Sequence, residues 1–268
     1  MADITGHEVL RDSRGSQLFS LYDINRLEPR DKEAIYRSLL PPRLVAMMAQ
    51  GGGLEIIAPQ GLRFLRMAAR VRPADPDPAF FLELCDTHHG QMELSFCLIA
   101  DPSAPRFDVD VDREGRNNLF ATMGRNLDEE RRAMEAGLFP NQIRRGLRMF
   151  GEFLPLLECF TRRLCMDLIV AEPLSYDNAI RYERYGFDYV VGKRQMQEID
   201  EGFAPGGVLF ERLDGSTPFR RRGMEKSVLG RSWAIHDGIL DEPWDGVRIY
   251  KTVGVHAGVN TFKNQDKD

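Results

Sequence analysis

Residues 166–173, MDLIVAEP, form a continuous apolar run of strand length that closes on Pro173. An unbroken run of this kind predicts an interior strand covered on both faces, since a surface strand would alternate. SYDNAIRYERYGF follows, with Ser175 or Asp177 as an N-cap candidate and Gly186 as a C-terminal stop, so a short helix comes next. DYVVG then resumes a strand. A buried strand, a helix and a second strand between Leu164 and Val191 require a layered arrangement, because helix and strand must each bury a face against another element.

The rest of the chain supplies the other layers. QLFSLYDI, residues 17–24, reads as a first strand, and Glu28, Pro29, Asp31 and Glu33 open a helix that runs to about Leu40. Pro41 and Pro42 restart the chain into a short apolar helix, which Gly51, Gly52 and Gly53 end. That glycine run lacks the Lys-Ser/Thr of a phosphate-binding loop and reads as a helix stop. From Leu54 to Asp112 the pattern is LEIIA, RFLRMAARV, AFFLELCD, QMELSFCLI and RFDVDVD, an antiparallel meander whose PADPDP linker is a turn. NLDEERRAMEAG predicts an exposed amphipathic helix from Asn126 or Asp128 to Gly137. In the longer helical stretch from Pro140 to Leu164, Leu147, Phe150, Leu154, Leu157, Phe160 and Leu164 recur at spacings of three and four, and Pro155 should kink the helix.

These elements predict an α/β (α+β) fold, with a mixed, mostly antiparallel central sheet flanked by helices. Residues 1–199 would form the main domain. Residues 200–268, with GVLFERL, RSWAIHDGIL and GVRIYKTVGV, would add a peripheral C-terminal extension of short strands and turns with a frayed end.

The formal net charge of -5 gives no general attraction to phosphate backbones or anionic lipid, so nucleic acid is not an expected partner. No apolar run approaches the roughly 20 residues that span a bilayer, and the first residues, MADITGHEVLRDSRG, contain no apolar segment of a secretory leader. A cytoplasmic location is the expectation. Cys85, Cys97, Cys159 and Cys165 lie in apolar patterns without metal-binding spacing and read as reduced thiols.

Tyr182, Glu183, Gly186 and Phe187 in YERYGF, with Asn178 and Ala179 upstream, resemble the strand–helix–strand that closes the cofactor site in the GNAT superfamily of acyl-CoA-dependent N-acyltransferases. Aligned from the Gly-Phe end, the family's Asn falls on Ser175. The stretch Gln142, Ile143, Arg144, Arg145, Gly146, Leu147 is similar to the family's pyrophosphate loop, although Arg148 stands where a small residue is usual. Arg113–Phe139 also intervenes where the loop normally follows its strand directly. Such a loop needs glycine so that backbone N–H groups can approach phosphate at a positive helix end.

The resemblance implies that acetyl-CoA or another acyl-CoA binds along a splayed pair of parallel strands, and that an amine attacks the thioester. Gln142, Arg144, Arg145, Gly146, Leu147 and Ser175 would hold the cofactor, and Tyr182 would be the acid for the leaving thiolate. An amphipathic packing role for Tyr182 remains the alternative. Glu93 and Glu172, with Glu83, are candidates for the base, where apolar surroundings raise a carboxyl pKa. The acceptor would be an amine of a small molecule or peptide, and a homodimer is compatible with the family. A catalytically inactive binding or assembly protein of this fold, or a long-chain acyl transferase, are the rival readings.

Asp108, Asp110 and Asp112 recur at spacing two and would share one strand face, either solvated or around a cation, although the spacing beyond them departs from a calcium loop. No metal is expected. His88 and His89 fall in a turn near Asp86, and Arg220, Arg221 and Arg222 read as a solvated loop that could also grip phosphate. No hydrolase signature is present.

Overall fold

The computed structural model describes residues 8–118 and 124–263. Three short helices come first, α1 (Leu21–Asn25), α2 (Pro29–Arg37) and α3 (Pro42–Met48), followed by strands β1 (Gly53–Ile57), β2 (Phe64–Arg70), β3 (Phe80–Asp86) and β4 (Met92–Ile99). Helices α4 (Leu127–Glu135) and α5 (Phe150–Arg163) precede β5 (Leu168–Ala171), α6 (Tyr176–Arg184) and β6 (Asp188–Val191). The C-terminal part holds α7 (Lys193–Gly202), α8 (Val208–Glu211), α9 (Val228–His236) and β7 (Arg248–Thr252). The strand order is β1-β2-β3-β4-β5-β7-β6, antiparallel through β4 and parallel between β4 and β5. This is the mixed, mostly antiparallel sheet flanked by helices that the sequence predicts.

The chain divides into two units that do not follow chain order. The first contains Met1–Ser103, Gly146–Ala171 and Tyr250–His256, and the second contains Ala104–Arg145, Glu172–Ile249 and Ala257–Asp268. Residues 200–268 contribute to both units.

In the first unit, β3 alternates buried and half-buried residues, which sends Phe80, Leu82 and Leu84 inward. Phe153 of α5 meets Phe80 edge-on at 5.4 Å between ring centres, and Tyr36 of α2 meets Phe160 at 6.3 Å. Pro155 lies inside α5. In the second unit, Trp233 of α9 stacks on Phe219 at 5.2 Å within a cluster that includes Val109, Ala133 and Leu138.

Four sequence expectations change. Residues 17–24 are not a strand: only an Arg11–Gln17 bridge forms, and Ser20 starts α1 by accepting the Asp23 N–H at 3.2 Å while the Asp23 carboxylate accepts from Phe19 N–H and the Ser20 hydroxyl. Reciprocal capping outweighs alternation there. RFDVDVD is likewise not a strand, because the Asp112 carboxylate accepts the backbone N–H groups of Glu114 and Arg116, each at 2.9 Å, and closes a turn.

The long helix begins at Phe150, well after Pro140. Asn141 and Arg148 take positive φ values of 63° and 56°, which no right-handed helix accommodates. Finally, the described residues from 200 onward are helical before strand β7, and they carry core residues: Trp233, Ile249 and Phe262 are buried. The C-terminal segment is anchored as far as Lys263, with Thr261 and Phe262 both buried.

Candidate functional site

Two features of different kinds stand out, one in each unit. In the first, β4 pairs with β5 only through Met92↔Ile169 and Glu93↔Val170, although β4 continues to Ile99. Its β3-facing edge stays paired, with Phe96 opposite Glu83 and Leu94 opposite Leu84, so Ser95 is an extra residue that bulges β4 just past the end of its β5 pairing. A backbone edge from Leu94 to Ile99 therefore has no β5 partner. At its far end, a Cβ on Gly146 would lie 3.1 Å from the Ile99 carbonyl oxygen, so only glycine lets the chain approach that closely. Helix α5 starts three residues after Leu147, and no side chain caps it.

In the second unit a cavity of about 550 Å³ is lined by side chains from α6, α9 and the loop that follows α9. Arg125, Ser175, Tyr176, Ser232, His236 and Trp244 are among them. Behind the wall lies Glu130, 1% exposed, whose carboxylate accepts from Arg125 Nε at 2.9 Å and lies 3.2 Å from His236 Nε2. Asp237 accepts from Arg125 Nη1 and Arg220 Nε, each at 2.9 Å, and from the Thr217 hydroxyl at 2.7 Å. Two arginines, two carboxylates and one histidine thus form one network.

Burial pushes the Glu130 carboxyl up, but the hydrogen bonds and charges of His236 and Arg125 outweigh it and hold the group below the ordinary glutamate value. Burial raises the Asp177 carboxyl against the opposing Arg181, and raises the Tyr176 hydroxyl to about 12 against Arg231. The Glu130 shift has a stability consequence. Because its folded pKa is depressed, the network stabilises fully above the ordinary glutamate pKa and loses that stabilisation as pH falls through the folded value. The Tm of the protein should drop on acidification through that window, and Glu130→Gln should flatten that part of the profile while lowering Tm at neutral pH. An unchanged acid slope in the variant would remove Glu130 from the account.

The sequence-predicted residues divide between the units. Glu93, Gly146 and Leu147 belong to the first. Glu93 is half-buried and accepts from the Ser95 hydroxyl at 3.2 Å, and the Leu147 carbonyl accepts from Arg43. Gln142, Arg144, Arg145, Glu172, Ser175 and Tyr182 belong to the second. There the Gln142 side chain accepts the Phe139 N–H at 2.9 Å, Arg144 donates to the Ala104 carbonyl, and Arg145 is exposed.

Glu172 is exposed and paired with Arg248 at 2.6 Å, so it lacks the apolar surroundings expected of a tuned base. Tyr182 is half-buried, with its ring edge-on to Phe187 at 4.9 Å. Ser175 heads α6 but donates its hydroxyl to Asp177 at 2.7 Å and makes no capping bond. Ser175 alone among these residues lines the second-unit cavity. Asp108 and Asp110 are both bound by Arg106, and Asp112 by Arg116 at 2.8 Å, so arginines answer that charge. Among the described residues no group of three or more His, Cys, Asp and Glu side chains could hold a metal ion. Arg220, expected to be solvated, is instead part of the Asp237 network.

Sequence reasoning misses Glu130 and gives His236 no role, because no nucleophile pattern stands near it. They stand far apart in the chain, inside DEERR and AIHDG, and no spacing rule links them. Among the described residues no helix is long and apolar enough to cross a membrane. No family model, curated protein or solved structure matches the chain.

Proposed function

We propose that the protein is an acyl-CoA-dependent N-acyltransferase. The observation that carries this reading is the parallel β4–β5 pair, which is in register at Met92 and Glu93 while β4 runs on past a bulge at Ser95 to Ile99, beyond the end of its β5 pairing. The pantetheine arm of CoA is a chain of amides, and two parallel strands that part in this way can take such a chain along them as an added strand would lie. A backbone N–H on the same edge suits the oxyanion that develops when an amine attacks a thioester. The order of elements around YERYGF and the glycine approach at Gly146 support the same reading. In the reaction the amine nitrogen bonds to the acyl carbon, the C–S bond breaks, and the departing thiolate takes a proton, for which the resemblance of YERYGF makes Tyr182 the candidate donor.

Thermal shift and calorimetric titration of the full chain with acetyl-CoA, CoA and a long-chain acyl-CoA test this directly. Saturable binding is expected, and ligand at about a hundred times Kd should stabilise the folded state by about 2.7 kcal/mol. Failure of all three to bind would remove the proposal. Given binding, Tyr182→Phe should lower kcat by about a hundredfold with cofactor affinity retained. Unchanged turnover would take Tyr182 out of the mechanism.

A further inference from the structure

The second-unit cavity holds chemistry that thioester binding does not use. We propose that it binds a primary amine through its ammonium group and that His236 takes the proton.

The direction of the His236 ring follows from Glu130. An ionised carboxylate only accepts hydrogen bonds, and Glu130 is buried, gripped by Arg125 and 3.2 Å from Nε2. Nε2 must therefore carry the hydrogen, which leaves Nδ1 with the lone pair. Nδ1 has no hydrogen-bond partner among the described residues. The ring is held edge-on to Trp233 at 5.7 Å and forms part of the cavity wall. A buried carboxylate behind an oriented imidazole, with the second ring nitrogen left as acceptor, is the geometry of a carboxylate-held base.

The charges around the cavity favour a cation. Arg125 and Arg220 are matched by Glu130 and Asp237, and Asp241 is matched by Arg212 at 2.7 Å. Glu242, exposed at the mouth, has no ion pair among the described residues. Among these acids and arginines one carboxylate, Glu242, is left uncompensated, which suits a single ammonium. Arg125 is a poor anion anchor because Glu130 and Asp237 engage its Nε, Nη1 and Nη2 and its guanidinium lies over Phe219 at 5.3 Å.

Trp244 has given its indole N–H to the Pro173 carbonyl at 3.1 Å, so the ring offers a ligand its apolar surface and its π cloud. The volume fits a small organic molecule. The other charged groups near His236 are Asp177 on α6 and its neighbour Asp237. The step itself is one proton transfer. The ammonium N–H bond breaks, the proton goes to Nδ1, and the amine keeps the electron pair as a neutral nucleophile. That this amine is the acyl acceptor rests on the acyl-transfer reading, whereas its binding does not.

Calorimetric titration of the full chain with tryptamine and phenethylamine, against 2-phenylethanol and phenylacetate, tests the site without any variant. The amines should bind saturably and at least about tenfold more tightly than the alcohol or the acid. Glu242→Gln and Trp244→Ala should each weaken them several-fold. Nitrogen-15 spectra of the imidazoles, assigned with His236→Asn, should show the Nε2–H tautomer. Equal or tighter binding of phenylacetate or 2-phenylethanol, no binding of either amine, or an Nδ1–H tautomer would overturn the proposal. Acyl-CoA binding without amine binding overturns this site alone, and amine binding without acyl-CoA binding overturns only the acyl-transfer reading.

Discussion

Glu183→Ala should destabilise the second unit by about 3–5 kcal/mol, because it removes the acceptor for three buried donors at once. The Glu183 side chain is 3% exposed. It accepts from the Tyr189 hydroxyl, from the Thr261 N–H at 2.9 Å and from the Thr261 hydroxyl at 2.6 Å. With the carboxylate gone, the Thr261 N–H loses its acceptor and the Tyr189 and Thr261 hydroxyls keep only their bond to each other, and each buried donor left unsatisfied costs about 1–3 kcal/mol. Tyr189 shows how closed the site is: burial, then the neighbouring Glu183 charge, push its hydroxyl far above the ordinary tyrosine range.

The effect should also be local in a way that a simple core truncation is not. Thr261 is one of the points at which the C-terminal segment is fixed, so Glu183→Ala should raise hydrogen exchange across residues 257–263 before the rest of the unit responds. Urea unfolding gives the magnitude, and Tyr189→Phe gives a control expected to cost about 1 kcal/mol because one donor is removed with its bond. A Glu183→Ala loss below about 1 kcal/mol, with unchanged exchange at the C-terminus, would show that the carboxylate is not the anchor.

That result bears on what YERYGF means. In the sequence its residues resemble a cofactor-site motif, whereas in the fold Glu183 faces inward and ties the tail, Gly186 takes φ 87° after α6, and Phe187 is fully buried. A short motif of this kind is readable because its glycine, aromatic and helix spacing are local requirements, and local requirements are what a sequence displays. The same reason made β2, β3, β4, β5, α4 and α6 legible, each marked by its own alternation, cap or stop.

What the sequence hid was set by partners far along the chain or by competing side-chain bonds. Ser20 and Asp23 turned an apparent strand into a helix start, and Asp112 turned the D-x-D-x-D run into a turn. Two non-glycine residues with positive φ delayed α5. Glu130 and His236 became neighbours only through the packing of α4 and α9. A reading that finds carboxylates by their apolar neighbours in sequence selects Glu172, which is exposed, and passes over Glu130, which is not.

Arg231 is fully buried, and its removal should be as costly as that of Glu183. Its Nη1 donates to the Asp200 carboxylate at 2.7 Å and its Nε to the Glu225 carbonyl at 2.7 Å, with the Phe262 ring 4.4 Å and the Phe203 ring 5.2 Å from the guanidinium carbon. Arg231→Met leaves Asp200 buried with little more than the Lys263 N–H at 3.2 Å, and Asp200→Ala leaves a guanidinium in an aromatic cage with an Nη2 that has no acceptor. Each single change should therefore cost about 3–5 kcal/mol.

The double variant Arg231→Met/Asp200→Leu should cost far less than the sum, because the large penalty in each single variant is an unpaired buried charge and the double variant contains none. Chemical denaturation of the four chains closes the cycle. Simple additivity would mean that the pair acts by packing alone. A strong favourable coupling, with the C-terminal segment of the double variant exchanging faster than in the unaltered chain, would assign the pair its role: Arg231 and Asp200 hold Phe262 and Lys263 in one register, a selection that an apolar pair of similar volume cannot make.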